Sequence, residues 1–557
     1  MDPRIEPFVY PLFFPSGTFG WSDGLKLTTN RRLTRIQLAQ YRVAFRRCYA
    51  TRLLEAGPSG EGQFRVVPPR CAFNPIHFGE KLTQQYLVDA FIRVERDRIR
   101  WIKDNQEKIK AENYECVNRY LERLAAQEGG QVERKVILPS TFPGSPRYYS
   151  EYYEDAMALV RRYGTPDLFI TMTCNPACPE IQEALHHEFA DGTTLDQASF
   201  MRPDICARVF KLKCDQLIRD LFVEKVFGRP AAYVSVIEFQ KRGLPHMHLL
   251  LILHRDDKIV SAQQVDDFIS AEIPDRQKEP LLYELVNQNM IHSPCGAENP
   301  QAHCMDPRTG KCRWNYPKEF QEHTTLRENE SPRYRRRNVD FGNFRILRKD
   351  RYGDRVVRDN RHVAPYNAWL LKRYGAHTNV EFVGGARAVK YLYKYIFKGH
   401  NIAQITVAND ERSIVYDECA RHIEGRYVSA YEACWRLFEY DLQRRSHTVQ
   451  RLDVHLARQQ GNANNVPADL TDVGQRCSTL TAWFKLNKSL KDLERRQADL
   501  RGIEAAGQRP LTRDEQKVLD EVVEYPFYWQ TPERYTWIGQ TSQWKPQGRR
   551  TLKIGRM

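Results

Sequence analysis

The hairpin that decides the fold reads Ala232-Tyr-Val-Ser-Val-Ile-Glu238-Phe-Gln240-Lys-Arg-Gly-Leu-Pro-His246-Met-His248-Leu-Leu-Leu-Ile-Leu253. Two runs rich in branched and aromatic residues flank Lys-Arg-Gly-Leu-Pro, which predicts two strands joined by a turn. Side chains on a strand alternate between its faces, so His246 and His248 point to the same side. The pair predicts a divalent metal site; ordinary packing and surface chemistry is the alternative for a His-x-His pair by itself.

A third ligand is expected from the first strand of this hairpin. Glu238 and Gln240 lie two residues apart and therefore share a face. If that face meets the histidines, either residue supplies an oxygen ligand, which suits Mg²⁺ or Mn²⁺ better than zinc. The sequence leaves both residues open, because strand register cannot be read from it.

The second motif reads Gly384-Gly-Ala-Arg-Ala-Val-Lys-Tyr391-Leu-Tyr-Lys-Tyr395-Ile-Phe-Lys398-Gly399. Apolar residues recur near helical spacing, and the final glycine stands where a helix C-cap is expected. Tyr391 and Tyr395 are four residues apart, so the predicted helix places them on one side, and Lys398 continues the stripe. An aromatic stripe with a lysine is also typical of core packing with the lysine amine reaching solvent.

Paired with a metal site, the two tyrosines predict phosphodiester transfer. A phenol that attacks a DNA phosphodiester forms a phosphotyrosine ester close in energy to the bond broken, so the strand can be rejoined without ATP. The phenol has an ordinary pKa of about 10 and needs help from a metal or base. A cation at His246 and His248 would stabilise charge on the phosphate oxygens, and Lys398 would assist the leaving oxygen.

These residues resemble those of the HUH endonucleases, and among them the two-tyrosine Rep nuclease of Helitron rolling-circle transposases. The resemblance rests on Leu244-Pro-His-Met-His248 and Tyr391-x-x-x-Tyr395-x-x-Lys398. Further matching segments span nearly the whole chain: Tyr10-Pro-Leu-Phe-Phe-Pro15, Gln85-Tyr-Leu-Val-Asp-Ala90, Leu138-Pro-Ser140, Gly164-Thr-Pro-Asp-Leu-Phe-Ile-Thr-Met-Thr-Cys-Asn-Pro176 and Pro365-Tyr-Asn367.

The resemblance implies an α+β fold, in which an antiparallel β-sheet is flanked by helices. It also implies sequential nicking of single-stranded DNA at transposon ends and targets, 5′-phosphotyrosine intermediates, a free 3′-hydroxyl and strand transfer between two tyrosines. By analogy, the family's first motif falls on the strand Phe169 to Thr173. A conjugative relaxase or plasmid replication initiator is the alternative enzyme, and a non-catalytic, DNA-end-binding transposon remnant is the alternative outside enzymes.

Full transposases of the resembled family carry a helicase after the nuclease. The chain contains no Gly-x-x-x-x-Gly-Lys-Ser/Thr phosphate loop, so it is not expected to hydrolyse ATP. We therefore expect a truncated, excised or decayed nuclease portion, with unwinding supplied by a helicase in cis in a longer protein or in trans.

Charge agrees with a nucleic-acid partner. The chain has 85 Lys and Arg against 70 Asp and Glu, a formal net charge of +15, and this field attracts phosphate without reading sequence. Residues 333–361 hold eleven Arg or Lys against four Asp, with aromatic residues between them. Cations among aromatics favour unpaired DNA, although a solvated basic loop has the same composition. The predicted DNA contacts are Arg333, Arg335, Arg336, Arg337 and Lys349.

A separate cluster combines His292, Cys295, Cys304 and Cys312 in a stretch rich in Asn, Pro and Gly. Three thiolates and an imidazole can enclose a four-coordinate structural zinc, whereas buried free thiols in an irregular loop are the alternative. Cysteines also recur at similar places in the resembled family. The remaining cysteines show no disulfide framework, as expected for a protein that works on nuclear DNA.

The length of 557 residues predicts two or three domains. We expect a mainly helical region over 1–135, for instance a helix from Glu80 to Arg123, that braces the nuclease or binds DNA. Residues 136–408 form the predicted nuclease domain with a Cys/His insertion at 290–318, and residues 409–557 form a mainly helical region. No run of eighteen apolar residues and no signal peptide is present, which predicts a soluble, intracellular protein without a membrane partner, nuclear or otherwise intracellular.

Overall fold

The fold comes from a computed structural model of the chain. It describes residues 2–44, 47–48, 51–53, 64–66, 70–71, 74–109, 131–188, 194–240, 243–327, 331–338, 346–349, 353, 355–383, 413–424, 426–455, 478–547 and 552–557. Tyr391, Tyr395 and Lys398 lie outside these residues.

Helices occur along the whole described chain. Their bounds are α1 Ile5–Val9, α2 Arg35–Val43, α3 Lys81–Asp104, α4 Pro146–Tyr163, α5 Pro179–Leu185, α6 Pro203–Arg219, α7 Ala262–Phe268, α8 Pro280–Asn289, α9 Ala368–Tyr374, α10 Glu418–Ile423, α11 Ala430–Leu437, α12 Thr479–Ala505, α13 Arg513–Asp520 and α14 Thr531–Arg534. The helix expected to begin near Glu80 is α3, which ends at Asp104.

Strands alternate with these helices. Their bounds are β1 Arg47–Cys48, β2 Thr51–Leu53, β3 Phe64–Val66, β4 Arg70–Cys71, β5 Gln131–Val136, β6 Leu168–Thr173, β7 His186–Glu188, β8 Thr194–Asp196, β9 Pro230–Phe239, β10 Pro245–Leu253, β11 Ile346–Lys349, β12 Arg355–Arg358, β13 Thr378–Phe382, β14 Ser413–Asp417, β15 Gln443–Arg445, β16 Thr448–Arg451, β17 Tyr535–Ile538, β18 Gln543–Pro546 and β19 Lys553–Arg556.

A five-stranded antiparallel sheet lies at the centre of the described structure, in the order β13-β6-β10-β9-β15. The predicted hairpin is β9 and β10, and every residue of β10 is buried, as expected for a central strand covered on both faces. The mixture of helices with an antiparallel sheet confirms the α+β prediction.

One face of the sheet packs on α6 and α11. Met247 and Leu249 of β10 and Ile170 of β6 lie in one buried cluster with Phe210 of α6 and Trp435 of α11. The other face packs on α4: Leu250, Val234 and Phe169 contact Ala156 and Leu159. The two faces are thus covered by different helices, and the alternation of β10 places the histidines on the α4 side.

Local signals in the sequence fix α4 over the sheet. Ser145 caps the helix by accepting a hydrogen bond from the Tyr148 amide, and Pro146 occupies the first turn, where it loses no hydrogen bond. Gly164 ends the helix with a φ of 91°, a conformation that L side chains rarely adopt. These limits align α4 with the apolar part of the sheet.

The central sheet includes a strand from the predicted C-terminal region. β15 pairs with β9, and β14 pairs in parallel with β5, so elements beyond residue 408 complete sheets that begin before it. The domain limits proposed from the sequence stay a prediction. In the described residues, no helix is both long enough and apolar enough to span a bilayer.

Candidate metal sites

His246 and His248 stand at one end of the central strand, on the α4 side of the sheet. Each residue is 7 % exposed. His246 lies opposite Glu238 of β9 and Thr173 of β6, while His248 lies opposite Val236 and Thr171. Directly opposed residues of an antiparallel pair face the same side, so Glu238 and both threonines surround the imidazoles.

The two threonines orient the imidazole rings. Thr173 Oγ1 is 2.8 Å from His246 Nδ1, and Thr171 Oγ1 is 3.0 Å from His248 Nδ1. When Nδ1 carries the ring proton and donates it to the hydroxyl, Nε2 presents its lone pair, which is how a second partner prepares a histidine for a metal. Phe169 stacks on His248 at a ring distance of 5.7 Å and an angle of 6°, which further fixes that ring.

The two predicted oxygen ligands differ in their surroundings. Glu238 Oε2 lies 2.9 Å from His248 Nε2, and the Glu238 side chain is 14 % exposed. Adjacent ligand atoms around an octahedral ion with bonds of about 2.1 Å are about 3 Å apart, so the Glu238 and His248 pair fits Mg²⁺ or Mn²⁺. Gln240 is exposed and follows the end of β9, and its role as a ligand stays a prediction.

Two polar residues that the sequence did not predict share a row with His248. The row crosses the sheet as Gln443, Val236, His248, Thr171 and Asn379. Within the described part of the chain, the buried oxygens Gln443 Oε1 and Asn379 Oδ1 have no hydrogen-bond partner. No sequence signal marks either residue, because their pairing depends on strands far apart in the chain.

The Cys/His cluster converges in space. The ligand atoms of His292, Cys295, Cys304 and Cys312 all lie within 4.8 Å of one another. No other described group of three or more His, Cys, Asp or Glu side chains converges in this way, and the His246, His248 and Glu238 group is not gathered as tightly. Three thiols and one imidazole are the donors of a four-coordinate zinc site, so this cluster can hold a metal such as zinc.

A short hairpin holds two of the cysteines together. Met305 pairs with Cys312, the Arg313 amide donates to the Cys304 carbonyl at 2.8 Å, and the Asn315 amide donates to the Cys312 carbonyl at 2.9 Å. Cys312 Sγ then lies 3.6 Å from His292 Nε2. The sulfur atoms are thus positioned by backbone hydrogen bonds.

Burial acts on the ionisation of every residue in the cluster. Burial lowers the pKa of His292 to about 4, so its ring is neutral at pH 7. Burial, together with the neighbouring thiols, raises the pKa of Cys295 to about 12. Burial also opposes ionisation of Cys312, but amide hydrogen bonds from Tyr316 and Trp314 outweigh it and lower that pKa. A bound cation would favour the thiolate form of all three cysteines.

A profile of the family described as Helitron helicase-like domain at N-terminus matches residues 63–251. The matched range contains Glu238, His246 and His248. Residues 63–251 are therefore similar to a Helitron domain. No curated protein matches it. The Helitron match ends before the Cys/His cluster, Gln443 and the tyrosine motif.

Tyr391, Tyr395 and Lys398 lie outside the described residues. The described chain before them ends at Val383, just after β13. Their predicted meeting with the histidine pair stays a prediction.

Arg336 does not lie on the DNA-contacting surface predicted from the sequence. It is 4 % exposed, and its guanidinium donates to the carbonyl oxygens of Ala271, Asn360 and Val363. Because Arg336 is buried and bonded to these three backbone carbonyls, it connects the segments that contain them. The sequence misled here because composition does not separate an exposed arginine from a buried one.

The neighbouring arginines are partly engaged by acids. Arg337 donates twice to Glu272, at 2.9 and 2.6 Å, and Arg335 lies 3.4 Å from the same carboxylate. Arg333 is half exposed and 3.7 Å from Glu319. Lys349 pairs through its backbone with Arg355, and its side chain is not among those that the structure describes. Direct DNA contact by these four residues stays a prediction.

Proposed function

We propose that this Helitron-related chain is a metal-dependent endonuclease and strand transferase that acts on single-stranded DNA. It nicks and joins strands through 5′-phosphotyrosine intermediates in rolling-circle transposition. The observation that carries the proposal is the position of His246, His248 and Glu238 on one face of the sheet, with Glu238 Oε2 2.9 Å from His248 Nε2. The Helitron match over the same residues supports it.

In the proposal, His246, His248 and Glu238 hold Mg²⁺ or Mn²⁺. A bound ion supplies a Lewis acid that stabilises negative charge on the phosphate oxygens. The protein offers three ligands, and both cations accept six, so the remaining positions suit water and DNA phosphate. Thr171 and Thr173 keep the imidazoles oriented, and Phe169 limits the rotation of His248.

The proposed nucleophiles are Tyr391 and Tyr395. A bond forms between the tyrosine oxygen and phosphorus, and the bond from phosphorus to the 3′ oxygen breaks. The phenol gives up one proton, and the leaving oxygen takes up one proton to become a 3′-hydroxyl, with Lys398 assisting. Strand transfer reverses these bonds, as a 3′-hydroxyl attacks the phosphotyrosine and restores the phenol. Two tyrosines allow two DNA ends to be held at once.

The test is incubation with a labelled single-stranded oligonucleotide and Mg²⁺ or Mn²⁺, followed by a denaturing gel. Tyr391→Phe and Tyr395→Phe should each abolish either cleavage or transfer, and the double variant should form no covalent adduct. Tyr393→Phe, between them in the sequence, is the matched control and should retain the adduct. A double variant that still links to DNA would show that the nucleophiles are other residues.

A second pair of variants tests the histidines. His246→Ala should lower cleavage by about 100-fold or more while retaining DNA binding, since phosphate contacts come from elsewhere. His254→Ala, which changes a partly exposed histidine just beyond β10, is the control and should cleave normally. Equal loss of binding and cleavage in His246→Ala would assign the histidines to the fold. Retention of DNA on a native gel without any adduct in the wild type would favour the DNA-end-binding alternative.

A further inference from the structure

Beyond the histidine pair, the Cys/His hairpin carries an exposed aromatic surface. Trp314 is 49 % exposed, although a tryptophan is among the most apolar side chains in the protein. Its ring meets His292 edge to face at 5.7 Å and His303 at 5.4 Å. Two imidazoles therefore contact the indole, while about half of the residue is exposed to solvent.

The backbone around Trp314 is also fixed. The preceding Arg313 and the following Asn315 make the hydrogen bonds that close the cysteine hairpin. Lys318 Nζ donates to the Trp314 carbonyl at 2.6 Å, and Tyr316 stacks on His292 at a ring distance of 4.2 Å. A ring held in this way loses little conformational entropy when a ligand stacks on it.

Cations outnumber acids in the sequence around Trp314, although Glu319 directly follows Lys318. Residues 303–318 contain Arg308, Lys311, Arg313 and Lys318 against one acid, Asp306. Arg308, Lys311 and Arg313 are exposed beside Trp314 in the chain. The combination of a fixed, exposed aromatic ring with exposed cations matches the requirements of an unpaired nucleic acid, whose bases stack while its phosphates need positive charge.

We propose that Trp314, with Arg308, Lys311 and Arg313, forms a binding site for an unpaired base and its flanking phosphates in single-stranded DNA. This stacking site is separate from the histidine pair, and its rigidity depends on a metal held by His292, Cys295, Cys304 and Cys312. The choice of DNA as ligand rests on the proposed function. The stacking itself requires no cleavage chemistry.

The test uses the full zinc-loaded chain and a fluorescent oligothymidine in buffer without Mg²⁺ or Mn²⁺, with binding read by anisotropy. Stacking of one base contributes about 1–3 kcal/mol, so Trp314→Ala should weaken binding about 5- to 150-fold. Trp369→Ala, another exposed tryptophan, is the control and should bind like the wild type. A duplex probe should not distinguish these proteins, because its bases are already stacked.

Zinc content, measured by mass spectrometry on each protein, separates lost stacking from lost folding. If Trp314→Ala fails to hold zinc, the pair Trp314→Phe and Trp314→Leu decides, since both side chains are apolar and only phenylalanine offers a ring. The Phe variant should bind more tightly than the Leu variant. Equal affinities for these two, or wild-type affinity in a zinc-loaded Trp314→Ala, would overturn the inference.

The same proteins separate this inference from the nuclease proposal. Adduct formation by the wild type with Mn²⁺ tests the nuclease proposal, and the affinity of Trp314→Ala without Mg²⁺ or Mn²⁺ tests the stacking site. A wild type that forms no adduct, together with a Trp314→Ala that loses affinity, would refute the nuclease and support the stacking site. Unchanged affinity of Trp314→Ala, together with normal adduct formation by the wild type, would refute the stacking site and support the nuclease.

Discussion

Glu238 is the residue that most restricts which third ligand can join the histidine pair. Its carboxylate meets His248 Nε2, whereas Gln240 is exposed beyond the strand. Without a cation, a proton must occupy the 2.9 Å contact between the two groups. A divalent ion that replaces this proton would use both lone pairs, so Glu238 is the better third ligand.

Glu238→Gln tests this assignment. The amide keeps the shape of the side chain but removes the charge that attracts a divalent cation, so Mn²⁺ affinity should fall by about tenfold or more. Isothermal titration of Mn²⁺ into the purified chain measures the change, with Gln240→Ala as the control. Loss of Mn²⁺ binding in Gln240→Ala, with normal binding in Glu238→Gln, would reverse the assignment.

We predict that Gln443 lowers the stability of the fold but contributes to nicking. Among the described residues, its buried Oε1 atom has no hydrogen-bond partner, and an unsatisfied buried group costs about 1–3 kcal/mol in a folded protein. Gln443→Leu should therefore keep or raise the melting temperature while it lowers the rate of nicking, if the amide contacts DNA or a metal-bound water beside His248. Calorimetry and the nicking assay check both parts. A variant that melts at a lower temperature and nicks normally would contradict this role.

At the residue scale, sequence reasoning supplied the candidates but not their partners. The alternation that aligned His246 with His248 is a local property of a strand and was readable. The choice between Glu238 and Gln240, the row that contains Gln443, and the burial of Arg336 depend on contacts between distant segments. These required the register and the packing.

At the scale of elements, a buried ion cluster ties α3 to the segment after β14. Glu95 of α3 accepts hydrogen bonds from Arg426 and from His422, the latter at 3.2 Å. Burial alone would raise the pKa of Glu95, but the His422 hydrogen bond and the Arg426 charge outweigh it and lower the pKa to about 2. Arg426 also donates to Glu432 of α11 at 3.1 Å, so the cluster joins three elements.

This cluster predicts a loss of stability in acid. The pKa of Glu95 is depressed below its ordinary value of 4.5, so its contribution is complete above about pH 4.5 and disappears as the pH falls toward 2. The shift corresponds to about 3 kcal/mol. Melting temperatures of wild type and Glu95→Gln between pH 6 and 3 should differ most at pH 6 and converge in acid. Glu424→Gln, an exposed control, should follow the wild type, and a constant difference at every pH would contradict the linkage.

Metal removal tests the Cys/His hairpin. Chelation should loosen the segment from His292 to Lys318, so trypsin should cut faster at Arg308, Lys311 and Arg313 while cleavage elsewhere is unchanged. Limited proteolysis with mass spectrometry follows this. Cys295→Ser with Cys312→Ser should behave like the chelated wild type, whereas Cys419→Ser, a buried thiol elsewhere, should retain zinc. A wild-type protein that contains no metal would contradict the assignment of a metal site to the Cys/His cluster.

Elements with strong local signals were predictable. The β9 and β10 hairpin followed from two branched, aromatic runs around a turn, and α3 followed from apolar residues at helical spacing. The short strand β15 was not predicted, because three residues, Gln443, Arg444 and Arg445, carry no strand pattern of their own. Their pairing with β9 comes from the tertiary fold.

At the scale of the whole molecule, the fold class and the similarity to a Helitron domain could be predicted, while the assembly of the proposed catalytic centre could not. The α+β prediction is confirmed by the antiparallel sheet and its helices, and the Helitron resemblance is supported by the match over residues 63–251. A net charge of +15 agrees with a DNA partner but does not locate it. The meeting of the histidine pair with Tyr391 and Tyr395 depends on segments far apart in sequence.

Peptide mapping of the DNA adduct tests the central claim most directly. Trypsin cuts after Lys390, Lys394 and Lys398, so Tyr391 and Tyr395 fall on separate peptides, Tyr391-Leu-Tyr-Lys394 and Tyr395-Ile-Phe-Lys398. With Mn²⁺ and single-stranded DNA, we predict a nucleotide-modified tyrosine on one or both peptides, and none in His246→Ala. A nucleotide on any other tyrosine, or no adduct in the wild type, would contradict the account.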